Sequence, residues 1–240
     1  MVISDLFHFL SYYWIAFILT AIAAYLLGSI NFAILTTQHF EKTDIRNSGS
    51  GNAGMTNVMR SVGKKAGIIT FVGDIAKGAV AVMAGYLIFW AFTGKELDSV
   101  SRASLCLLGA YIAGFFDIIG HVFPVFFQFR GGKGVATSVG IMAFVDWRSF
   151  LIVFAVFLIV VLLTKYVSAG SVLGAITFPI SVYFLNRKSE YSAANEFYLT
   201  VMTVVAALIG LIVVIKHKDN IKRLLRGEES KFTIKGEKKK

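Results

Sequence analysis

Of 240 residues, 56% are hydrophobic and 16% charged, and the mean hydropathy is +0.71, a balance that excludes an ordinary soluble domain of this length. The formal net charge of +10 does not call for nucleic acid, because much of it lies in one tail, 216–240, directly after an apolar run, where membrane electrostatics accounts for it. The single cysteine, Cys106, sits inside an apolar run, so an intrachain disulfide and a cysteine metal site are both excluded.

Apolar runs recur at 14–35, 66–92, 103–119, 134–145, 150–163, 167–185 and 197–215. The first lacks a basic leader and a small-residue cleavage site, so it reads as a span and not a signal peptide. Only helices and closed barrels satisfy the backbone in hydrocarbon, and these runs suit helices. The expectation is an all-α membrane protein of about seven transmembrane helices. The 134–145 run falls short of the roughly 20 residues a crossing needs, which leaves a thin or tilted crossing or a re-entrant segment.

Lysine and arginine placement sets the orientation. A cytoplasmic tail after seven spans puts the N-terminus outside, and 1–13 carries no lysine or arginine. The loops then assigned inside hold Lys42, Arg46, Arg60, Lys64, Lys65, Arg130, Lys133 and Lys165, against Lys95, Arg102, Arg148, Arg187 and Lys188 outside. Without the tail the bias is modest. The loops after the first, third and fifth spans share the face of the C-terminal tail. With no internal repeat, residues 1–228 read as one integral-membrane domain and 229–240 as a mobile basic tail.

Three polar segments fall on that face. In 44–60, Gly49, Gly51 and Gly54 allow positive φ and close backbone approach, so successive N–H groups can form an anion nest, with Ser50, Thr56 and Asn57 as further donors and Arg60 as a bidentate phosphate ligand. The same string matches G-x-G-x-x-G, with Asp74 at the dinucleotide-fold spacing, but Asp74 lies in an apolar span with no βαβ unit. Alone, the segment is equally readable as a flexible connection. In 120–137, a glycine run around Lys133 opens into a helix, which places N–H groups, a helix dipole and an ammonium together. Gly134 follows that lysine, so this is not a Walker loop. Phe123, Phe126, Phe127 and Phe129 suit the headgroup boundary, and an interfacial anchor is the plainer alternative. In 217–228, His217 and Asn220 share a helix face, although a histidine in a basic tail is more often simply solvated.

Other polar residues carry less. Asp74 and Lys77 read as a mutual pair facing the bundle. Asp117, near a span end, reads as structural and able to reach the interface. His39 and Asp44 match the H-x-x-x-x-D spacing of another acyltransferase class, over a string too short to weigh.

Taken together, Gly28-Ser-Ile-Asn-Phe, the DIRxxGSGNxGxTNxxR string, the GHxFPxxxxFxGGKGVAT string and the terminal HxxNIxRLLxGxE resemble the bacterial PlsY family of acyl-phosphate:glycerol-3-phosphate acyltransferases, from about 28 to 228. The resemblance implies a seven-helix inner-membrane enzyme, N-terminus outside and active site facing the cytoplasm. Its reaction moves a fatty acyl group from acyl phosphate to the sn-1 hydroxyl of glycerol 3-phosphate, giving lysophosphatidic acid and phosphate, the first acylation of phospholipid synthesis. By the resemblance, the substrate-binding serine and arginine fall on Ser50 and Arg60, the glycine-loop lysine on Lys133, and the tail pair on His217 and Asn220. Asn52, Gly54, Thr56 and Asn57 occupy motif positions. Gly131, Gly132 and Gly134 are expected beside the acyl phosphate. Asn31 stands where the family usually has proline, Arg130 and Lys218 replace one base by another, and none of these changes removes a ligand.

An acyl phosphate is already activated, so positioning and charge stabilisation suffice, and the sequence offers donors and cations but neither an evident serine–histidine–acid triad nor a metal cluster. The expectation is therefore no cofactor, no metal, membrane lipids as surroundings, no nucleic acid and no obligate protein partner. The proton acceptor, substrate phosphate or His217, is left open. A transporter for phosphorylated metabolites is the rival, weakened because the anion-binding groups gather at one face. A non-catalytic lipid-binding protein is another.

Overall fold

The structure is a computed structural model describing residues 2–94, 97–188 and 196–231; Lys95 and the tail from 232 onward, which entered the charge reading, lie outside the described residues. Its regular elements are all helical: α1 (Val2–Gly28), α2 (Phe32–Glu41), α3 (Met55–Ser61), α4 (Lys64–Phe92), α5 (Ser99–Val122), α6 (Val135–Val145), α7 (Trp147–Thr164), α8 (Val167–Asn186), α9 (Glu196–Lys216) and α10 (Lys218–Leu225), with short 3-10 turns at Ile45–Asn47 and Val125–Phe127.

Among the described residues, six stretches are long and apolar enough to cross a bilayer: α1 continued by α2, then α4, α5, α7, α8 and α9. The fourth apolar run is different. Helix α6 has 11 residues, about 16 Å of helix against roughly 30 Å of hydrocarbon. It is shorter than an ordinary crossing, and Ile141 on it is fully buried against α5, so it makes the thin passage that its length allows. The bundle therefore consists of six long passages and a short seventh helix, α6, which carries the chain from the loop after α5 at one end to Asp146, beside Asn186 at the end of α8, at the other.

Helix α5 is the centre. In its most apolar stretch 72% of residues are buried, against 11% for α7. Tyr111, Ile118 and Val122 of α5 pack with Ile141 of α6, Phe178 of α8 and Ile209 of α9. Helix α7 instead turns Ile159, Leu162 and Leu163 outward, the last 80% exposed. Lipid tails are as apolar as leucine, so this exposure carries no penalty in a bilayer. Phe9 near the start of α1 stacks on Phe89 at 5.9 Å and lies 6.0 Å from Phe197. The start of α1 thus lies with the end of α4 and the start of α9. The chain after α9 lies at the opposite end, with the connections after α2, α5 and α7.

The first apolar run is longer than composition suggests and is broken. Helix α1 already starts at Val2 and stops at Gly28, and the chain re-enters a helix only after Asn31. The Asn31 side chain accepts the Ile34 N–H at 3.1 Å, a standard N-cap. The carbonyls of Gly28 and Ile30, orphaned by the break, both accept from the buried Lys77 ammonium at 3.0 and 2.8 Å. Lys77 also pairs with Asp74 at 3.1 Å, as the spacing predicts. At the far end, Asp146 caps α7 through the N–H groups of Arg148 and Ser149, and its other oxygen accepts from Ser149 Oγ and Asn186 Nδ2, both at 2.9 Å. One buried carboxylate thereby ties the α6–α7 corner to the end of α8.

Helix α6 meets α4 backbone to backbone. A Cβ on Gly140 would lie 2.0 Å from the Ile75 carbonyl oxygen, so only glycine allows this crossing. Gly140→Ala is expected to lower stability by roughly 1–3 kcal/mol, the usual range for overpacking, while Leu163→Ala on the lipid face stays within about 0.5 kcal/mol. Thermal unfolding of the purified variants in detergent checks both.

Candidate active site

The first loop is a self-supporting turn. Asp44 accepts the Arg46 N–H at 2.9 Å and pairs with its guanidinium at 2.7 Å, and the Arg46 side chain holds the Asp44 carboxyl below its usual range. Arg46 Nη1 also donates to the Phe127 carbonyl at 2.7 Å, which docks this loop on the second. Gly49 (φ 56) and Gly51 (φ 69) adopt left-handed conformations, whereas Gly54 is extended. Asn57, read from sequence as a substrate ligand, is instead the knot of the loop. It is buried, its Oδ1 accepts the Ser50 N–H at 2.9 Å, and its Nδ2 donates to the carbonyls of Ser48, Asn52 and Ile45. With its amide spent on backbone, it shapes the loop and offers nothing to a ligand. The loop leaves Ser50 exposed, and the Thr56 hydroxyl donates to the Met55 sulfur at 3.9 Å. Arg60, on the last turn of α3, is exposed and has no hydrogen bond or ion pair among the described residues.

The second loop folds back on the helix it leaves. The N–H groups of Gly131 and Gly132 donate to the carbonyls of Val122 and His121, each at 3.1 Å. That corrects their expected role, because both N–H groups are consumed by α5 and unavailable to a phosphate. Lys133 and Gly134 N–H bond to no backbone carbonyl among the described residues. Gly134 (φ 83) caps α6, so the anion-seeking groups are those that open this helix. Gln128 and Phe129 both take left-handed backbone (φ 59 and 57) to make the return, a conformation costly for non-glycine residues. Phe123, Phe126 and Phe129 are about half exposed or more and form a lipid-facing rim, and the Lys216 ammonium lies 5.4 Å from the Phe123 ring.

The third segment closes on the second. Lys133 Nζ donates to Asn220 Oδ1. Asn220 Nδ2 donates to Glu229 Oε1 at 2.6 Å, and the same carboxylate accepts from Ser168 Oγ at 2.8 Å and Arg223 Nε at 2.7 Å. Burial pushes the Glu229 carboxyl up, but these three donors outweigh it and hold the group below its usual range. Burial also pulls the Lys133 ammonium down, partly offset by Glu229. His217 is buried at the α9–α10 junction, where its Nδ1–H donates to the Val213 carbonyl at 2.7 Å. Burial presses its pKa down to about 4, with the Lys133 charge adding to the effect. The ring is therefore neutral near pH 7, with Nε2 as acceptor.

Lys133, Asn220 and His217 are thus brought together, and Arg46 and the contact of Gly132 with Ala53 join the first loop to them. No hydrogen bond links Ser50 or Arg60 to this trio among the described residues. Glu229, Ser168 and Arg46 were missed by the sequence reading. Glu229 is the final letter of the terminal string, yet the domain boundary drawn at 228 assigned it to the tail. Arg46 stood only as a topology charge, and Ser168 gave no signal. Asp117 is also corrected: it is fully buried, and neither carboxylate oxygen has a hydrogen-bond partner, so it does not reach the interface. His39 stacks edge-on against Phe40 while Asp44 pairs with Arg46, so the H-x-x-x-x-D match joins nothing. Among the described residues no three His, Cys, Asp or Glu side chains gather as metal ligands.

Known proteins are similar to this chain in sequence and in fold. The sequence model of the family described as "Glycerol-3-phosphate acyltransferase" matches residues 18–227. A glycerol-3-phosphate acyltransferase from Thermoanaerobacter pseudethanolicus is 42% identical over 221 residues, covering 92% of this chain and 98% of that protein. One from Clostridioides difficile is 40% identical over 222 residues, with the same coverage. Among solved structures, the glycerol 3-phosphate form of PlsY (YgiH), an integral membrane glycerol 3-phosphate acyltransferase, superimposes with a TM-score of 0.74 at 32% identity, over 90% of this chain and 96% of that one. Its lysophosphatidic acid form gives a TM-score of 0.72 at 31% identity, over 90% and 95%. With the helical bundle and the joined loops, these matches show that the chain is a multi-pass membrane acyltransferase belonging to the glycerol-3-phosphate acyltransferase family of PlsY type.

Proposed function

We propose that the chain transfers a fatty acyl group from acyl phosphate to the sn-1 hydroxyl of glycerol 3-phosphate, releasing lysophosphatidic acid and phosphate at the cytoplasmic face of a bacterial inner membrane. The observation that carries this reading is the Lys133 ammonium, held by Asn220 beside the N–H groups that open α6. This anion site lies next to a rim of lipid-facing phenylalanines, as a substrate with a phosphate head and an acyl tail requires. The forms named for the two PlsY structures, glycerol 3-phosphate and lysophosphatidic acid, support the acceptor and product. The excess of lysine and arginine at the site end supports a cytoplasmic orientation, with the N-terminus outside.

In this scheme the sn-1 oxygen attacks the acyl carbonyl carbon, and the bond from that carbon to the bridging phosphate oxygen breaks. Lys133 and the first N–H groups of α6 offset the charge growing on the leaving phosphate. Ser50, Arg60, His217 and Asn220 orient glycerol 3-phosphate, on a loop shaped by Asn52, Gly54, Thr56 and Asn57. A ring held near a pKa of about 4 is a weak base at neutral pH, whereas phosphate, with a second pKa of about 6, is better matched. The sn-1 hydroxyl proton therefore goes to the departing phosphate, and His217 Nε2 accepts from the other hydroxyl of glycerol 3-phosphate, which orients the molecule.

Purified protein mixed with long-chain acyl phosphate and glycerol 3-phosphate is expected to yield acylated product and phosphate in equal amounts, with Lys133→Ala slower by about a hundredfold or more. No product from the wild-type protein would sink the proposal. Glu229→Ala removes the acceptor that anchors Asn220 and is expected to raise KM for glycerol 3-phosphate several-fold. For His217→Asn, the kcat profile between pH 6 and 8 should keep its shape while KM rises; loss of a limb of that profile would make the histidine the base. The lowered pKa also means that the unfolded chain binds a proton between the ordinary value near 6.5 and about 4 that the folded chain refuses. Stability therefore falls as pH drops through that window, and His217→Asn should flatten the fall of Tm across it.

A further inference from the structure

A buried ammonium accounts for a histidine that the reaction scheme does not use. Lys77 is 5% exposed and His121 3%. Lys77 Nζ donates to the carbonyls of Gly28 and Ile30 and lies 2.9 Å from His121 Nδ1, with Asp74 Oδ1 at 3.1 Å as counter-charge. An ammonium has three hydrogens, and two are committed to carbonyls that can only accept. An ammonium can only donate, so a ring nitrogen 2.9 Å from it must accept, and Nδ1 takes a hydrogen of Lys77 while Asp74 Oδ1 supplies the counter-charge. A nitrogen that accepts carries no proton, so the ring is neutral and its proton sits on Nε2.

That end of the ring meets the glycine loop. A Cβ on Gly132 would lie 2.3 Å from Nε2 and 2.5 Å from the Ala53 carbonyl oxygen. The His121 carbonyl also accepts the Gly132 N–H. His121 therefore touches the loop through backbone and side chain, one residue before Lys133 and at the point where the first loop arrives.

We propose that His121 is a positioning residue for the glycine loop: Lys77 fixes it in the Nε2–H tautomer, and that N–H, facing the seam between Gly132 and Ala53, sets the spacing of the two phosphate-binding segments. It rests on the reading of those segments as phosphate-binding. Two consequences are that residue 132 has no room for a side chain, and that the break between α1 and α2 is coupled through one ammonium to the loop carrying Lys133.

Two measurements test it. In full-length protein labelled with 15N-histidine and reconstituted in lipid, the His121 ring at pH 7 should show a protonated Nε2 and an unprotonated Nδ1, assigned by loss of those signals in a histidine variant. A protonated Nδ1 overturns the proposal, whether or not any variant folds. Kinetics then separate positioning from space filling. His121→Gln keeps an N–H able to reach the seam, whereas His121→Asn reaches only toward Lys77. With Tm values within a few degrees of each other, Asn should raise KM for both substrates about tenfold and Gln much less. Equal KM values for the two variants, or a loss confined to Tm, would overturn it. Should Lys133→Ala keep wild-type kinetics while the tautomer is as stated, the phosphate-binding reading fails and the tautomer assignment stands.

Discussion

Inside a bilayer every backbone polar group needs a partner, because no water is there to supply one. The irregular parts of this protein exist only where a side chain or a neighbouring backbone meets that demand. The break between α1 and α2 is closed by the Lys77 ammonium and the Asn31 amide. The corner between α6 and α7 is closed by Asp146. The glycine loop spends two N–H groups on the end of α5. The N–H groups that open α6 have no side-chain cap, which leaves them suited to an anion.

The polar network at the site end follows from the same logic. Lys133 is positive and largely out of water, a costly state unless paired. Its partner is the neutral Asn220, and the compensating carboxylate, Glu229, stands one residue further away with Ser168 and Arg223 as additional donors. The cation is steadied without being neutralised by direct contact. It remains charged and open to an anion, while the bundle gains a link from α8 through the terminal segment to α6.

Much of this was legible in the sequence, and what was not has identifiable causes. Apolar runs marked the long helices, and the spacing of Asp74 and Lys77 marked a buried pair. The break after Gly28 was hidden because composition stays apolar across it, and Lys77, which makes it tolerable, lies far along the chain. The third run, ended at 119 by hydropathy, continues as helix to Val122, which turned Asp117 from an interfacial residue into a buried one. Lys133, His217 and Asn220 stood out by motif, but the spending of the Gly131, Gly132 and Asn57 donors on backbone is a matter of tertiary geometry. Glu229 fell to the tail because acidic residues after Gly227 resemble solvated charge until Asn220, Ser168 and Arg223 surround it.

The anchored Glu229 has a consequence for the catalytic cycle. An internal carboxylate already balances the Lys133 charge before any substrate arrives, so a phosphate entering the site shares an existing counter-ion field instead of filling an empty one. In the proposed reaction each anion is then held less tightly than by a bare cation, and the released phosphate leaves against a smaller barrier. On the proposed acyl-phosphate chemistry, which releases an inorganic anion on every turnover, built-in competition for the lysine favours throughput over affinity.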